Sequence, residues 1–329
     1  MHKTGRSVSR RSFIKRSTTL AATVASGLVW TESSGEQKKM SNSDGRGKLK
    51  VAAVQMNALR DNLEHNLEVH RRIAAEAAGA GCELVVFPEL STTSHYGHRS
   101  ATSLAQAADG GIFRTMSDLS KELNIHIAYG FCEIAHGSNY NSQALIGPEG
   151  LIGIHRKVHA SRDEYTYFRM GRSLEVFRMG YLKVGILICY DANFFEAWRV
   201  LALKGAQIIL LPHASRSGVG QKVDADKQKQ SLKRSLDGLP GRFGLYAADN
   251  NVFAVFANQA DYNGHSTHAG GAYILGPDQK VKAKSKPVLD DLWISAEIDL
   301  GLRDERRSSG NFILKDRRPE LYGELTRMI

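Results

Sequence analysis

From Leu49 onward the chain alternates between short apolar runs and longer stretches with helical spacing. Residues 49–55 form an apolar run of strand length. Over 61–80 the apolar positions Leu63, Leu67, Ala74 and Ala77 recur at the spacing of one helix face. The pattern then predicts a buried strand at 84–87, a helix at 113–123 and a strand at 125–132. Strands at 141–146 and 151–155 flank Gly147-Pro148-Glu149-Gly150, a hairpin signal. Further on come a strand at 181–188, a helix at 194–204, a strand at 207–211 and a helix at 242–250. The last strands are at 252–257, 271–275 and 292–297. Interleaving of this kind predicts one α/β domain with helices outside the sheets, and no internal repeat is evident.

One segment breaks the rhythm. Residues 215–239 are polar, with Lys222, Lys227, Lys229, Lys233 and Arg234 interleaved with acids and glutamines. A solvated insertion helix is the plain expectation, and a lid or partner-binding element over a site is the sharper one.

Composition changes this picture little. Of 329 residues, 42% are hydrophobic and 24% charged, which is ordinary globular usage. The net charge of +10 suggests a polyanion partner at first sight. However, Lys3, Arg6, Arg10, Arg11, Lys15 and Arg16 supply six of those charges, and no acid occurs in residues 1–30. What remains is mildly basic, and nucleic acid is not an expected partner. The three cysteines, Cys82, Cys132 and Cys189, have no paired spacing, which argues against both a disulfide framework and a zinc site. No metal and no cofactor are expected. Cys82 and Cys132 lie in or beside apolar runs and read as small core residues.

The basic start is followed by a moderately apolar stretch from Ser17 to Trp30, a secretory-signal pattern too short to span a membrane. Within it, Ser9-Arg10-Arg11-Ser12-Phe13-Ile14-Lys15 resembles a twin-arginine export signal. The expected organisation is a signal peptide over 1–30, a flexible linker over 31–47 and one domain over 48–329. The mature protein is expected outside the cytoplasm, periplasmic or extracellular, with no membrane anchor.

Three polar residues each follow an apolar strand. Pro88 ends the first run and aims Glu89 toward the sheet edge. Lys157 follows the strand at 151–155. Cys189 ends the run 184–188 and precedes a helix opening near Asn193, whose positive end is expected to favour thiolate. An acid, an amine and a thiol at strand ends are how an α/β sheet collects a site.

At these residues the chain resembles the nitrilase superfamily of carbon–nitrogen hydrolases. The resemblance rests on Phe87-Pro88-Glu89-Leu90, on Arg156-Lys157-Val158-His159 with Glu164 seven residues beyond the lysine, and on Ile188-Cys189-Tyr190-Asp191-Ala192-Asn193-Phe194-Phe195-Glu196. Tyr140-Asn141-Ser142, Asp249-Asn250 and Arg317-Arg318-Pro319-Glu320-Leu321-Tyr322 add to it, and it covers roughly residues 48–323.

The resemblance implies an α-β-β-α sandwich, commonly assembled as dimers or higher homo-oligomers. It implies that Glu89 is the general base, Cys189 the nucleophile and Glu164 a second, orienting glutamate. Lys157 and the backbone N–H of Tyr190 would hold the oxyanion. Ser94, His95 and Tyr96 are expected at the pocket mouth, with His213, Ala214 and Ser215 on the opposite wall. Tyr190-Asp191 after the cysteine resembles amidases more than true nitrilases, which usually carry Trp-Glu there. The expected partner is therefore a small amide or N-carbamoyl substrate. Nitrile hydrolysis and acyl transfer to an amine would use the same triad. A non-catalytic relative would have lost a triad member, and all three are present. Gly264-His265-Ser266-Thr267-His268 only superficially resembles a serine-hydrolase elbow, because its second glycine is missing.

Overall fold

Residues 51–56, Val-Ala-Ala-Val-Gln-Met, are completely buried, because the strand that holds them is covered on both faces. The computed structural model describes residues 47–94, 103–310 and 312–327. The first half comprises β1 (Lys48–Met56), α1 (Leu63–Gly79), β2 (Leu84–Val86), α2 (Gly111–Leu123), β3 (His126–Ala135), β4 (Ser138–Gly147) and β5 (Gly150–Arg156). Then come β6 (Val176–Met179), β7 (Leu182–Ile186), α3 (Phe195–Leu203), β8 (Ile208–His213), β9 (Arg216–Gly218), α4 (Ala225–Lys233) and α5 (Leu239–Asp249). The rest is β10 (Phe253–Tyr262), β11 (Thr267–Ala269), β12 (Tyr273–Leu275), β13 (Val281–Lys284), β14 (Leu292–Asp299) and α6 (Gly301–Ser308).

The strands run in the order β5-β4-β3-β2-β1-β10-β8-β7-β6. Pairing from β3 through β7 is parallel, and the two outer hairpins are antiparallel. The sheet curls until its ends approach. Gly153 on β5 lies against Phe177 on β6, and a Cβ there would come within 2.2 Å of the ring. Helices cover the outside. α1 and α2 pack on the β1–β5 half around Ile73, Met116, Phe87 and Phe131, and α3 and α5 pack on the other half around Trp198, Phe243 and Phe256. The result is the α-β-β-α sandwich expected.

The strand directions position the site. Two antiparallel reversals, β3 to β4 and β4 to β5, turn β5 parallel to β2 again. The C-terminal ends of β2, β5, β7 and β8 therefore lie along one edge, where open α/β sheets bind ligands.

The segment after β8 differs from the solvated helix expected. It forms β9, then α4, a single π-turn at Arg234–Gly238 and α5. Gln228, Leu232, Ser235 and Leu236 are buried, since the inner face packs down onto β11 and the Gly270 loop. The polar pattern reported only its outer face. The short strands β6, β9, β11 and β13 were too brief to register as periodicity.

Candidate active site

Cys189 follows β7 and opens a tight 3-10 turn, Cys189–Asn193, before α3 begins. Its φ of 49° lies in the left-handed region, which costs a non-glycine residue about 1–2 kcal/mol. Such strain persists only where neighbours over-determine the backbone. Asp191 is the neighbour that does so. It is fully buried and accepts from the Ile188 N–H at 3.1 Å, the His159 N–H at 2.8 Å and His159 Nδ1 at 2.8 Å. His155 Nε2 lies 3.3 Å from Oδ2, the oxygen that also accepts from Ile188, while both His159 contacts are on Oδ1. Burial works against the charge, but the bonds from His155 and His159 prevail and hold the Asp191 carboxyl well below the usual range. One side chain thus ties the cysteine elbow to the loop that carries Lys157.

Glu89 leaves the end of β2 fully buried. The close approach of this loop to β3 requires Gly130, where a Cβ would meet the Leu90 nitrogen at 2.2 Å. Its Oε1 accepts from Lys157 Nζ at 2.8 Å and Asn141 Nδ2 at 2.7 Å. Its Oε2 is buried and, among the described residues, has no hydrogen-bond partner. Gln259 Nε2 grips the Glu89 carbonyl at 2.8 Å. Burial pushes Glu89 up, yet Lys157 and Asn141 outweigh it, so the carboxyl stays ionised below its ordinary value.

Lys157 follows β5 and is 4% exposed. Burying an ammonium costs several kcal/mol unless it is well paired. Here Glu89 lies at 2.8 Å and Glu164 Oε1 at 2.6 Å. Burial opposes the charge, and Glu89 and Glu164 reverse it, holding Lys157 well above the usual lysine range. Next to it, Arg156 makes a two-pronged contact with buried Glu133 at 2.7 and 2.6 Å, which fixes the end of β5. Glu164 is buried at the third position of a 3-10 helix, Arg162–Thr166, and its Oε2 accepts from the Ser161 N–H at 2.5 Å. Its capping geometry and its place beside Lys157 are one arrangement.

Burial, followed by the charge of Glu89, pushes Cys189 far above the usual thiol range. Lys157 and the Ala214 N–H, which donates to the sulfur, only partly offset this. This direction runs against the thiolate expected at a helix N-terminus, and its causes are burial first and the Glu89 carboxylate second.

Cys189, Lys157 and Glu164 open into a cavity of about 510 Å³, together with Tyr190, His213, Ala214 and Ser215. His213 is buried against Phe256 and bonded through Nδ1 to the Leu211 carbonyl at 2.9 Å. Burial pushes it down to about 4, so its imidazole is neutral. Ser94 is not at the mouth. It is buried, donating to the Ala58 carbonyl at 2.7 Å and accepting from Asn263 at 3.0 Å. His95 and Tyr96 lie outside the described residues. Gly264, His265 and Ser266 lie in the β10–β11 turn and Thr267 and His268 open β11; Ser266 is buried and does not line the cavity.

Residues 50–308 match the carbon–nitrogen hydrolase family. The chain belongs to this family. A protein named nitrilase from Pyrococcus abyssi is 31% identical over 279 residues, spanning 83% of this chain and 99% of that one. An N-carbamoylputrescine amidase from Arabidopsis thaliana is 27% identical over 303 residues, 87% of this chain and 98% of that one. Among solved structures, a carbon–nitrogen hydrolase from Helicobacter pylori superposes with a TM-score of 0.73 at 22% identity, covering 85% of this chain and 99% of that one. The chain is thus an amidase-like hydrolase of carbon–nitrogen bonds that uses the superfamily's cysteine mechanism.

Asn141, Asp191 and Gln259 carry structural duties at the site that residue-type reasoning passed over. Their signal was available: Asn141 and Gln259 are polar residues inside buried strands, and Asp191 stands two positions after Cys189.

Proposed function

We propose that the protein hydrolyses the carbon–nitrogen bond of a linear amide or N-carbamoyl compound, with Cys189 as nucleophile. The carrying observation is the asymmetry of Glu89, whose Oε1 is held by Lys157 and Asn141 while Oε2 is left for proton transfer. Oε2 takes the thiol proton as sulfur attacks the carbonyl carbon. The oxygen becomes an alkoxide, stabilised by Lys157 Nζ and the Tyr190 N–H. Collapse breaks the C–N bond, and Glu89 returns its proton to the leaving nitrogen. A thioester remains. Glu89 then deprotonates water, whose attack releases the carboxylic acid and restores the thiol. Glu164 keeps Lys157 in place through its 2.6 Å contact. The preference for amides over nitriles is supported by Tyr190-Asp191 and by the name of the Arabidopsis relative.

The test is ammonia release across amides, ureido compounds and nitriles. Cys189→Ala is expected to abolish it while leaving the circular dichroism spectrum intact. Full activity in that variant sinks the mechanism.

Two further readings belong to the proposal. Export by the twin-arginine route is supported by Arg10-Arg11 and the apolar stretch behind them. Homo-oligomerisation is supported by exposed Val200 and Leu203 on α3 and Leu245 on α5, and sedimentation velocity tests it.

A further inference from the structure

Outside the Glu89–Lys157–Glu164 cluster, the charged side chains lining the catalytic cavity among the described residues are Arg162 and Arg216, and no further acid among them lines it. Arg216 is the deeper of the two. Its side chain is 7% exposed, and β9 holds it in register against His268 of β11. Its Nη2 lies 3.3 Å from Asp163 Oδ1, and that carboxylate is 47% exposed on the solvent side. Arg216 also lines a second cavity of about 520 Å³ beside the first, together with Arg234 and Lys227. The two acids there are Asp224 and Asp226, and Asp224 is engaged in capping α4 at 2.8 Å from the Lys227 N–H.

A guanidinium keeps its charge at every working pH and presents a planar fork that matches a carboxylate. In a cleft with low-dielectric walls, its field is focused on whatever enters. The triad cluster fixes where the scissile carbonyl must sit. A second charged anchor on the wall then selects the other end of the substrate, and its sign selects an anion.

We propose that Arg216 is the specificity residue of this enzyme and that its substrate is an amide or ureido compound bearing a carboxylate. This rests on the amidase reading above. The carboxylate arrives on the acyl side, as in an ω-amic acid, or on the amine side, as in an N-carbamoyl amino acid. Both present the same group to Arg216. Asp163 holds the guanidinium in place from the solvent side, at the long end of hydrogen-bond distance, and a substrate carboxylate competes with it for the same fork.

The experiment measures binding to the full chain carrying Cys189→Ala, by calorimetry, so that affinity is read apart from turnover. The probes are 4-carbamoylbutanoate against pentanamide, 3-ureidopropanoate against propylurea, and 5-aminopentanamide as the cationic arm. In at least one pair the carboxylate is expected to bind about tenfold or more tighter than its neutral partner. Which pair shows it identifies the acyl or amine side. Adding Arg216→Gln is expected to bring that ratio to within about twofold, and adding Asp163→Asn to raise it. Equal binding of neutral and carboxylate probes, tighter binding of the ammonium probe, or a ratio that survives Arg216→Gln overturns the assignment. Failure of the underlying function is read separately, as no ammonia release from any amide or ureido probe by the wild-type chain.

Discussion

Lys157 Nζ sits 2.8 Å from one oxygen of Glu89 and leaves the other oxygen buried and without a hydrogen-bond partner among the described residues. A salt bridge built for stability alone would satisfy both oxygens, because a buried carboxylate oxygen without a partner costs free energy. The geometry keeps Glu89 ionised and still able to take a proton. Glu89→Gln preserves shape and removes the base, so kcat is expected to fall about 10²–10⁴-fold. KM is expected to change far less, and steady-state ammonia release distinguishes the two.

The pH profile follows from the directions of the shifts. Glu89 is held below its ordinary value and Cys189 far above its own, so neither titrates near neutrality. His213, pushed down to about 4, stays neutral as well. A flat kcat/KM is expected between about pH 5.5 and about pH 8.5, with the acid limb set by carboxylates. A limb near the ordinary thiol value, about 8.5, would show that Cys189 works as a free thiolate.

Asp191 is a positioning residue. Its removal leaves the Ile188 and His159 N–H groups without their acceptor, at about 1–3 kcal/mol for each buried donor. Asp191→Ala is expected to lower the melting temperature and to reduce kcat more than it raises KM. Asp191→Asn keeps one acceptor oxygen and should recover part of both. Loss of stability with unchanged kcat would confine Asp191 to the fold.

Acid stability should be governed partly by buried histidines. Burial pushes His70 and His213 down to about 4 and His268 to about 3, so the folded state resists protons that the unfolded state accepts. With folded values below the unfolded value of about 6.5, their contribution is intact above that pH and is lost as pH falls through the folded values. Denaturant titrations from pH 7 to pH 4 should show stability falling with pH. His213→Phe should make that slope shallower.

Export is tested in the cell. Replacing Arg10 and Arg11 together by lysine is expected to strand the full-length protein in the cytoplasm. Fractionation with an unchanged periplasmic yield would refute the twin-arginine proposal.

Much of the fold was written in local pattern. β1, α1, β2, α2 and the β4–β5 hairpin follow from apolar spacing and turn residues, which act within a few positions. Glu89, Lys157 and Cys189 were legible for the same reason, each being a polar residue directly after an apolar strand. Segment 215–239 was misread because packing against β11 and Gly270 is long-range, and a half-polar helix does not announce what its inner face will meet. Ser94 was misplaced because proximity in sequence to Glu89 says nothing about where a left-handed residue turns its hydroxyl.

The sequence by itself determined most of the element types and the family, and it singled out Glu89, Lys157 and Cys189, since each depends on short runs of residues. Only the tertiary structure decided their chemical states. That Glu89 is held below its ordinary range with one oxygen engaged, and Lys157 and Cys189 above theirs, follows from burial and from contacts between residues 7 to 100 positions apart. Electrostatics in a desolvated pocket depends on distance in space, which the linear chain does not contain.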